Sequence, residues 1–258
     1  MALGATGTKT GGLPTIDVTM DGSSINVSGN LESGAVNIHA TSTGTTPGQP
    51  LFVRLNPGVS ADDLIAFLGT KKAANPDNVV PYGSIVLDPG PSTQDFQTVL
   101  QPGDYVGFDS AANNPTQWPH MTFTIEEASS PQKLPAAQQW QKAAEFRFYG
   151  PKTLHNGEAI RTSNAGFLVH MLIGFQVKNE AVGRHVVKLL RAGKDQQAQK
   201  AAGGQGFFMA FGPVSHGAIQ QYTFNAKPGW YVEACFMDTQ DGREHTQLGM
   251  ERLVHVVN

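Results

Sequence analysis

The sequence predicts an all-β protein made of two tandem Greek-key β-sandwich domains, each with a short inserted helix. Three observations predict it. Glycine supplies 29 and proline 16 of the 258 residues, and they separate short runs rich in β-branched and aromatic residues, as in antiparallel sandwiches. Apolar residues make up 40% and charged residues 15% of the chain, which suits a globular protein with many turns and excludes a coiled coil or a disordered chain. Two kinds of segment also recur in the same order in the two halves of the chain, as a divergent repeat would.

Strand-like runs in the first half fall at 15–19, 24–28, 36–42, 51–55, 84–87, 96–100, 104–108 and 121–125. In the second half they fall at 144–148, 159–164, 169–177, 207–211, 219–224, 229–236 and 251–257. Between the sets lies ASSPQKLPAAQ, a break containing proline and alanine. The expected organisation is a first domain over 1–127, a linker over 128–143 and a second domain over 144–258.

The repeat is carried first by LFVRLNPGVSADDLIAFLG (51–69) and IGFQVKNEAVGRHVVKLLR (173–191). Each reads as a strand, a turn and a helix with apolar residues three and four apart: Leu64, Ile65, Phe67 and Leu68, then Val186, Val187, Leu189 and Leu190. Ser60 with Asp63 three residues on is an N-cap and first-turn acid for the first of these helices. The second match pairs LQPGDYVGFD (100–109) with AKPGWYVEAC (226–235). In both, a Pro-Gly turn launches a strand with Tyr105 or Tyr231 at the same place.

The net charge is −3 and the charges are interspersed. No basic run follows a phosphate backbone, so nucleic-acid binding is not expected. No apolar stretch reaches the length of a membrane span, and the first residues, MALGATGTKTGGLPT, lack the apolar region of a signal peptide. One cysteine is present, so no internal disulfide forms and cysteine content does not reveal the compartment.

That cysteine opens the run that bears chemistry. A strand ends at Cys235; a polar loop with Asp241-Gly242 follows, then His245 and Met250, then a last strand. Thiolate, imidazole and thioether on one strand-loop-strand unit suit a soft ion such as Cu(I), and a His₂Cys set with a weak axial Met also accepts Cu(II). A second histidine is required from another strand. The arrangement resembles the cupredoxins, the blue-copper electron-transfer proteins, over about residues 144–258. The resemblance implies His170, inside the apolar strand FLVHMLIGF, as the first ligand, with Cys235, His245 and Met250 completing a mononuclear type 1 copper site. The spacing Cys-x9-His-x4-Met is near that of the longer-looped domains of copper nitrite reductase type. Met171 stands where a polar residue that ties the loop often follows the first histidine, which bears on the site's rigidity.

The first half carries Asp109 where Cys235 sits and Gly48 near the His170 position, and only His120-Met121 echoes the ligand loop. It is expected to hold no metal. The function implied by the resemblance is one-electron transfer, by a carrier and not an enzyme, with a redox partner protein that the sequence does not name. His245, nearest the loop surface, would be the electron entry point. The resemblance also implies an extracytoplasmic location: periplasmic, secreted or cell-surface. Two other readings stay open: copper storage or delivery, and a structural or surface-assembly protein of tandem sandwiches, a homo-oligomer included, that does not use the metal. A cysteine hydrolase is disfavoured, because Cys235 has no activating helix N-terminus.

Overall fold

The computed structural model describes residues 12–44, 46–90, 95–204 and 206–258; the reading of the extreme N-terminus as lacking a targeting segment falls largely outside them. The first half runs β1 (Thr15–Met20), β2 (Ile25–Gly29), β3 (Gly34–Ser42), β4 (Pro50–Leu55), α1 (Ala61–Leu68), β5 (Gly83–Leu87), β6 (Asp95–Leu100), β7 (Gly103–Asp109) and β8 (His120–Ile125). The second begins with β9 (Gln139–Ala144), β10 (Arg147–Tyr149), β11 (Thr153–His155), β12 (Ala159–Asn164) and β13 (His170–Val177). It continues with α2 (Glu180–Arg191), α3 (Asp195–Ala202), β14 (Phe207–Val214), β15 (Ile219–Thr223), β16 (Gly229–Ala234) and β17 (Glu251–Val257).

Three sheets result, in the strand orders β10-β9-β12-β15-β6-β3-β1-β2, β11-β17-β16-β13-β14 and β5-β4-β7-β8. The architecture is of the predicted all-β class, with the helices short and few. The first sheet crosses the midpoint of the chain where β15 pairs with β6. Cross-strand amides stitch that seam. Gln97 Nε2 donates to Asn37 Oδ1 at 3.0 Å, Gln221 Nε2 to Gln97 Oε1 at 3.0 Å, and Arg161 Nε to Gln221 Oε1 at 2.9 Å, so neighbours on one face of adjacent strands support each other.

Alternate residues are buried on β1 (Ile16, Val18, Met20) and on β5 (Gly83, Ile85, Leu87), so one face of each is turned inward. One core packs Ile16, Val18, Ile38 and Phe96 against Phe52, Leu87, Tyr105 and Phe123. A second runs from Val53, Ile85 and Phe108, under Leu64 and Phe67 of α1, to Leu172, Phe211, Tyr231, Cys235 and Met250, and a third packs Val186 and Leu190 of α2 against Val177 and Val232. Burying Leu64 and Phe67 contributes about 2 kcal/mol each, so α1 is held by packing as much as by its own bonds. Its start is a capping box: Ser60 Oγ accepts from Asp63 N–H at 3.2 Å and the Asp63 carboxylate accepts from Ser60 N–H at 3.0 Å.

The two Pro-Gly turns behave alike. Gly103 and Gly229 have φ of 137° and 145°, values that a side chain would oppose. Tyr105 Oη donates to Gln101 C=O, and Tyr231 Oη to Lys227 C=O, each at 2.7 Å.

The chain departs from the sequence expectation at 144–148, which is not one strand but the turn between β9 and β10. Ala144 pairs with Arg147, leaving Glu145 and Phe146 as a two-residue hairpin turn with Phe146 at φ 54°. Such turns need left-handed backbone and usually take Asn or Gly, so an Ala-Glu-Phe-Arg-Phe run carries no turn signal. β9 occupies 139–144, all but its last residue within the stretch expected as linker. The helix α3, DQQAQKAA, buries only Ala198 and Ala202, too faint an apolar stripe to register.

Asp88, just past β5, is buried between the halves. Gln49 Nε2 and Gly90 N–H donate to its Oδ1 at 2.9 and 3.2 Å, and Gly212 N–H of β14 donates to its C=O at 2.8 Å. A Cβ on Gly212 would stand 2.1 Å from Asp88 Oδ2, so glycine there admits the carboxyl. Burial pushes Asp88 up to about 6 from 3.8, with the Gln49 and Gly90 bonds opposing. A raised carboxyl holds its proton longer in the folded state, so its stability contribution is complete below pH 3.8 and is lost as pH rises through 6. The loss is about 3 kcal/mol. Urea unfolding of wild type against Asp88→Asn at pH 4 and pH 7 is expected to show this fall in the wild type and its removal in the variant.

Candidate metal centre

His170 opens β13, Cys235 follows β16, and His245 begins a single 3₁₀ turn ahead of β17. All three side chains are fully buried, and among the described residues they are the one cluster of metal-ligating type. The two Nδ1 atoms stand 3.2 Å apart, Cys235 Sγ lies 3.3 Å from His245 Nδ1 and 3.9 Å from His170 Nδ1. A first-row ion bonds imidazole nitrogen at about 2.0 Å and thiolate at about 2.3 Å, so three such donors spread evenly in a plane stand about 3.5 Å (N to N) and 3.7 Å (N to S) apart. The observed triangle is of that size, and its donor set is the soft one that copper favours.

Met250 is also fully buried. Its backbone joins the segments that carry His245 and Cys235: Met250 N–H donates to His245 C=O at 3.0 Å, and Cys235 N–H donates to Met250 C=O at 3.2 Å. Met171 N–H reaches Cys235 Sγ at 3.4 Å, a donor that stabilises sulfur charge. The loop before His170 is tied by Asn164. Its Oδ1 accepts from Gly166 N–H, and its Nδ2 donates to the C=O groups of Leu168 and Val214. Asn164 therefore supplies the anchoring that Met171 lacks; the sequence reading passed over it because it lies six residues upstream.

Electrostatics prepare the triangle for a cation. Burial holds His170 down at about 4, with the neighbouring His245 adding to the effect and Glu145 opposing it. Burial likewise holds His245 at about 4, so both rings are neutral at pH 7 and offer lone pairs. Burial pushes the Cys235 thiol up to about 12 against the Met171 and Met237 N–H groups, so a metal must displace that proton. The Nε2 atoms of His170 and His245 are buried, with no hydrogen-bond partner among the described residues.

The first half reaches over the site. Asp77 Oδ1 accepts from Val169 N–H at 2.6 Å, and Asn75 Nδ2 donates to Asp238 C=O at 3.1 Å. His245 is not the surface group expected from its polar loop. It is fully buried, and the half-buried Phe146 ring meets it edge-on at 5.1 Å. In the first half, Asp109 is buried and accepts from Gln49 and Ala111 N–H groups, and Met121 Sδ accepts from Val27 N–H. Both echo positions there are used to tie backbone.

No family model and no curated protein matches the chain. Among solved structures it is similar to a reduced auracyanin from Roseiflexus castenholzii, at 18% identity and TM-score 0.30, over 46% of this chain and 95% of that one. It is also similar to a Cu-containing nitrite reductase from Thermus scotoductus SA-01, at 12% identity and TM-score 0.29, over 95% of this chain and 67% of that one. An azurin from Methylomonas sp. strain J gives 9% identity and TM-score 0.25 over 46% and 96%. Superpositions this loose add nothing to the case for the site, which stands on the chain's own distances. No helix of the described residues is long and apolar enough to cross a membrane.

Proposed function

We propose that the chain is a copper-binding, cupredoxin-like protein that carries one electron at a mononuclear type 1 site. In this reading His170 and His245 Nδ1 and Cys235 Sγ would hold the copper, with Met250 as a further, weaker donor, and the first half would hold no metal. The reading rests chiefly on the convergence of those three donor atoms within 4.8 Å of one another in a fully buried pocket. Bound copper would supply the one-electron couple. The protein's own contribution is a rigid donor triangle, held by the Met250, Met171 and Asn164 bonds, that moves little between oxidation states.

Complete burial favours a redox site over storage or delivery, because a carrier that hands copper on needs an accessible ligand. It also shifts the proposed electron entry from His245 to Phe146, the ring that covers it. An extracytoplasmic location and a protein redox partner complete the proposal. Titrating the purified chain with Cu(II) is expected to give one copper per chain and an intense visible absorption. A colourless chain that retains Cu(I) would favour storage, and a chain that retains no copper would leave the structural reading.

A further inference from the structure

The two-residue turn Glu145–Phe146 touches both histidines of the cluster. Phe146 packs on His245, and Glu145 Oε1 stands 3.8 Å from His170 Nε2. Phe146 pays for this with a left-handed backbone, an outlier for a bulky aromatic; strain of this kind persists where surrounding structure fixes it and is concentrated at functional sites. The Glu145 carboxylate is itself fixed, because Oε1 accepts from the Phe167 N–H and, at 3.2 Å, from the Leu168 N–H. Gly166 leaves it room. A Cβ there would lie 2.6 Å from Glu145 Oε1 and 2.7 Å from His170 Nε2, between the two groups.

His170 Nδ1 and His245 Nδ1 stand 3.2 Å apart, so in the metal-free chain one ring donates to the other; with Glu145 beside it, His170 is the ring that accepts there and carries its own proton on Nε2. That atom is buried and lacks a hydrogen-bond partner, and Glu145 is the acidic group that faces it. A closing movement of about 1 Å brings 3.8 Å to hydrogen-bond length. Histidines that ligate metals commonly donate their second ring N–H to a carboxylate, which fixes the tautomer and raises ligand basicity.

We propose that Glu145 is the positioning residue of His170: it accepts the Nε2–H and so directs the Nδ1 lone pair into the Cys235–His245 triangle. Its effect on a bound ion rests on the copper reading; its effect on the tautomer does not. The first test is therefore made on the metal-free full chain, by ¹⁵N–¹H correlation of the imidazole rings. Wild type and Glu145→Gln, which keeps an acceptor oxygen, are expected to hold His170 in the Nε2–H form. Glu145→Ala and Gly166→Ala are expected to give a mixture of tautomers. A single Nε2–H form in Glu145→Ala would overturn the proposal, whatever the chain does with copper.

The second test loads wild type and Glu145→Ala with Cu(II). Loss of the partner is expected to weaken Cu(II) binding at least tenfold while weakening Cu(I) less. If the ratio of the two affinities changes about tenfold, the potential rises by about 59 mV. A merely structural role for Glu145 would lower thermal stability and leave tautomer and potential unmoved, and that outcome also overturns the proposal. Failure of wild type to bind copper would remove the copper reading and leave the tautomer result standing.

Discussion

Cys235→Ser is expected to abolish the intense visible absorption of the copper-loaded chain and to weaken copper retention by more than 100-fold. The bound is set by outer-shell partners, whose loss already costs about 10–100-fold; Cys235 supplies a donor atom itself. A serine hydroxyl is a hard, neutral donor at pH 7 and does not replace a thiolate for a soft ion. Wild-type loading is expected to release one proton, because the thiol is held up at about 12 whereas both imidazoles are already neutral. The variant has no thiol proton to release. Placing a hydroxyl in a fully buried site costs about 1–3 kcal/mol unless it finds a partner, so Cys235→Ala is the control that keeps the site apolar. Metal analysis, pH-stat titration and the visible spectrum on all three chains decide the matter. Copper retained by Cys235→Ala with an unchanged spectrum would remove Cys235 from the ligand set.

How much of this was legible in the sequence follows from the range of the forces involved. The eight first-half strand assignments lie within two residues of the observed bounds, because period-two burial and Gly or Pro turns are local signals. The Ser60–Asp63 box was readable for the same reason. His170 and Cys235, 65 positions apart, could be joined only through resemblance to a family, since spacing says nothing about contacts between distant strands. The turn at Glu145–Phe146 was missed because its residues are poor turn formers, held by the imidazoles and the Phe167–Leu168 backbone. Burial of His245 was missed because the rings packed on it, Phe146 and His170, are distant in sequence, and a polar loop reads as exposed whenever its cover is distant. Sequence therefore named the three residues that converge, His170, Cys235 and His245, better than it described what surrounds them.

The surroundings make a second large effect, at Arg252. Glu233 on β16 has no exposed side-chain surface, and its carboxylate accepts from Arg252 Nε and from Gln141 Nε2. Burial raises Glu233 above the usual carboxylate range, with Arg252 and Gln141 opposing. Arg252→Met keeps the packing of the stem and removes the countercharge, leaving a buried anion with Gln141 as its remaining described partner. Breaking a buried pair from one side costs about 3–5 kcal/mol, a large share of the 5–15 kcal/mol typical of a folded protein. The double change Glu233→Gln with Arg252→Met is expected to recover most of that loss, since no charge is then stranded. The sign with pH follows from the raised carboxyl. In the single variant Glu233 moves further up, so its stability is best at low pH, where the group is protonated in both states, and falls as pH rises through its folded value. Urea unfolding of the three chains at pH 4.5 and pH 7 tests this; a single variant as stable as wild type at pH 7 would show that the pair is not needed. β16 leads into Cys235, and β17 begins one residue after Met250. The same unfolding series followed by copper absorption therefore asks whether the ion pair, by holding these strands in register, also holds the donor triangle.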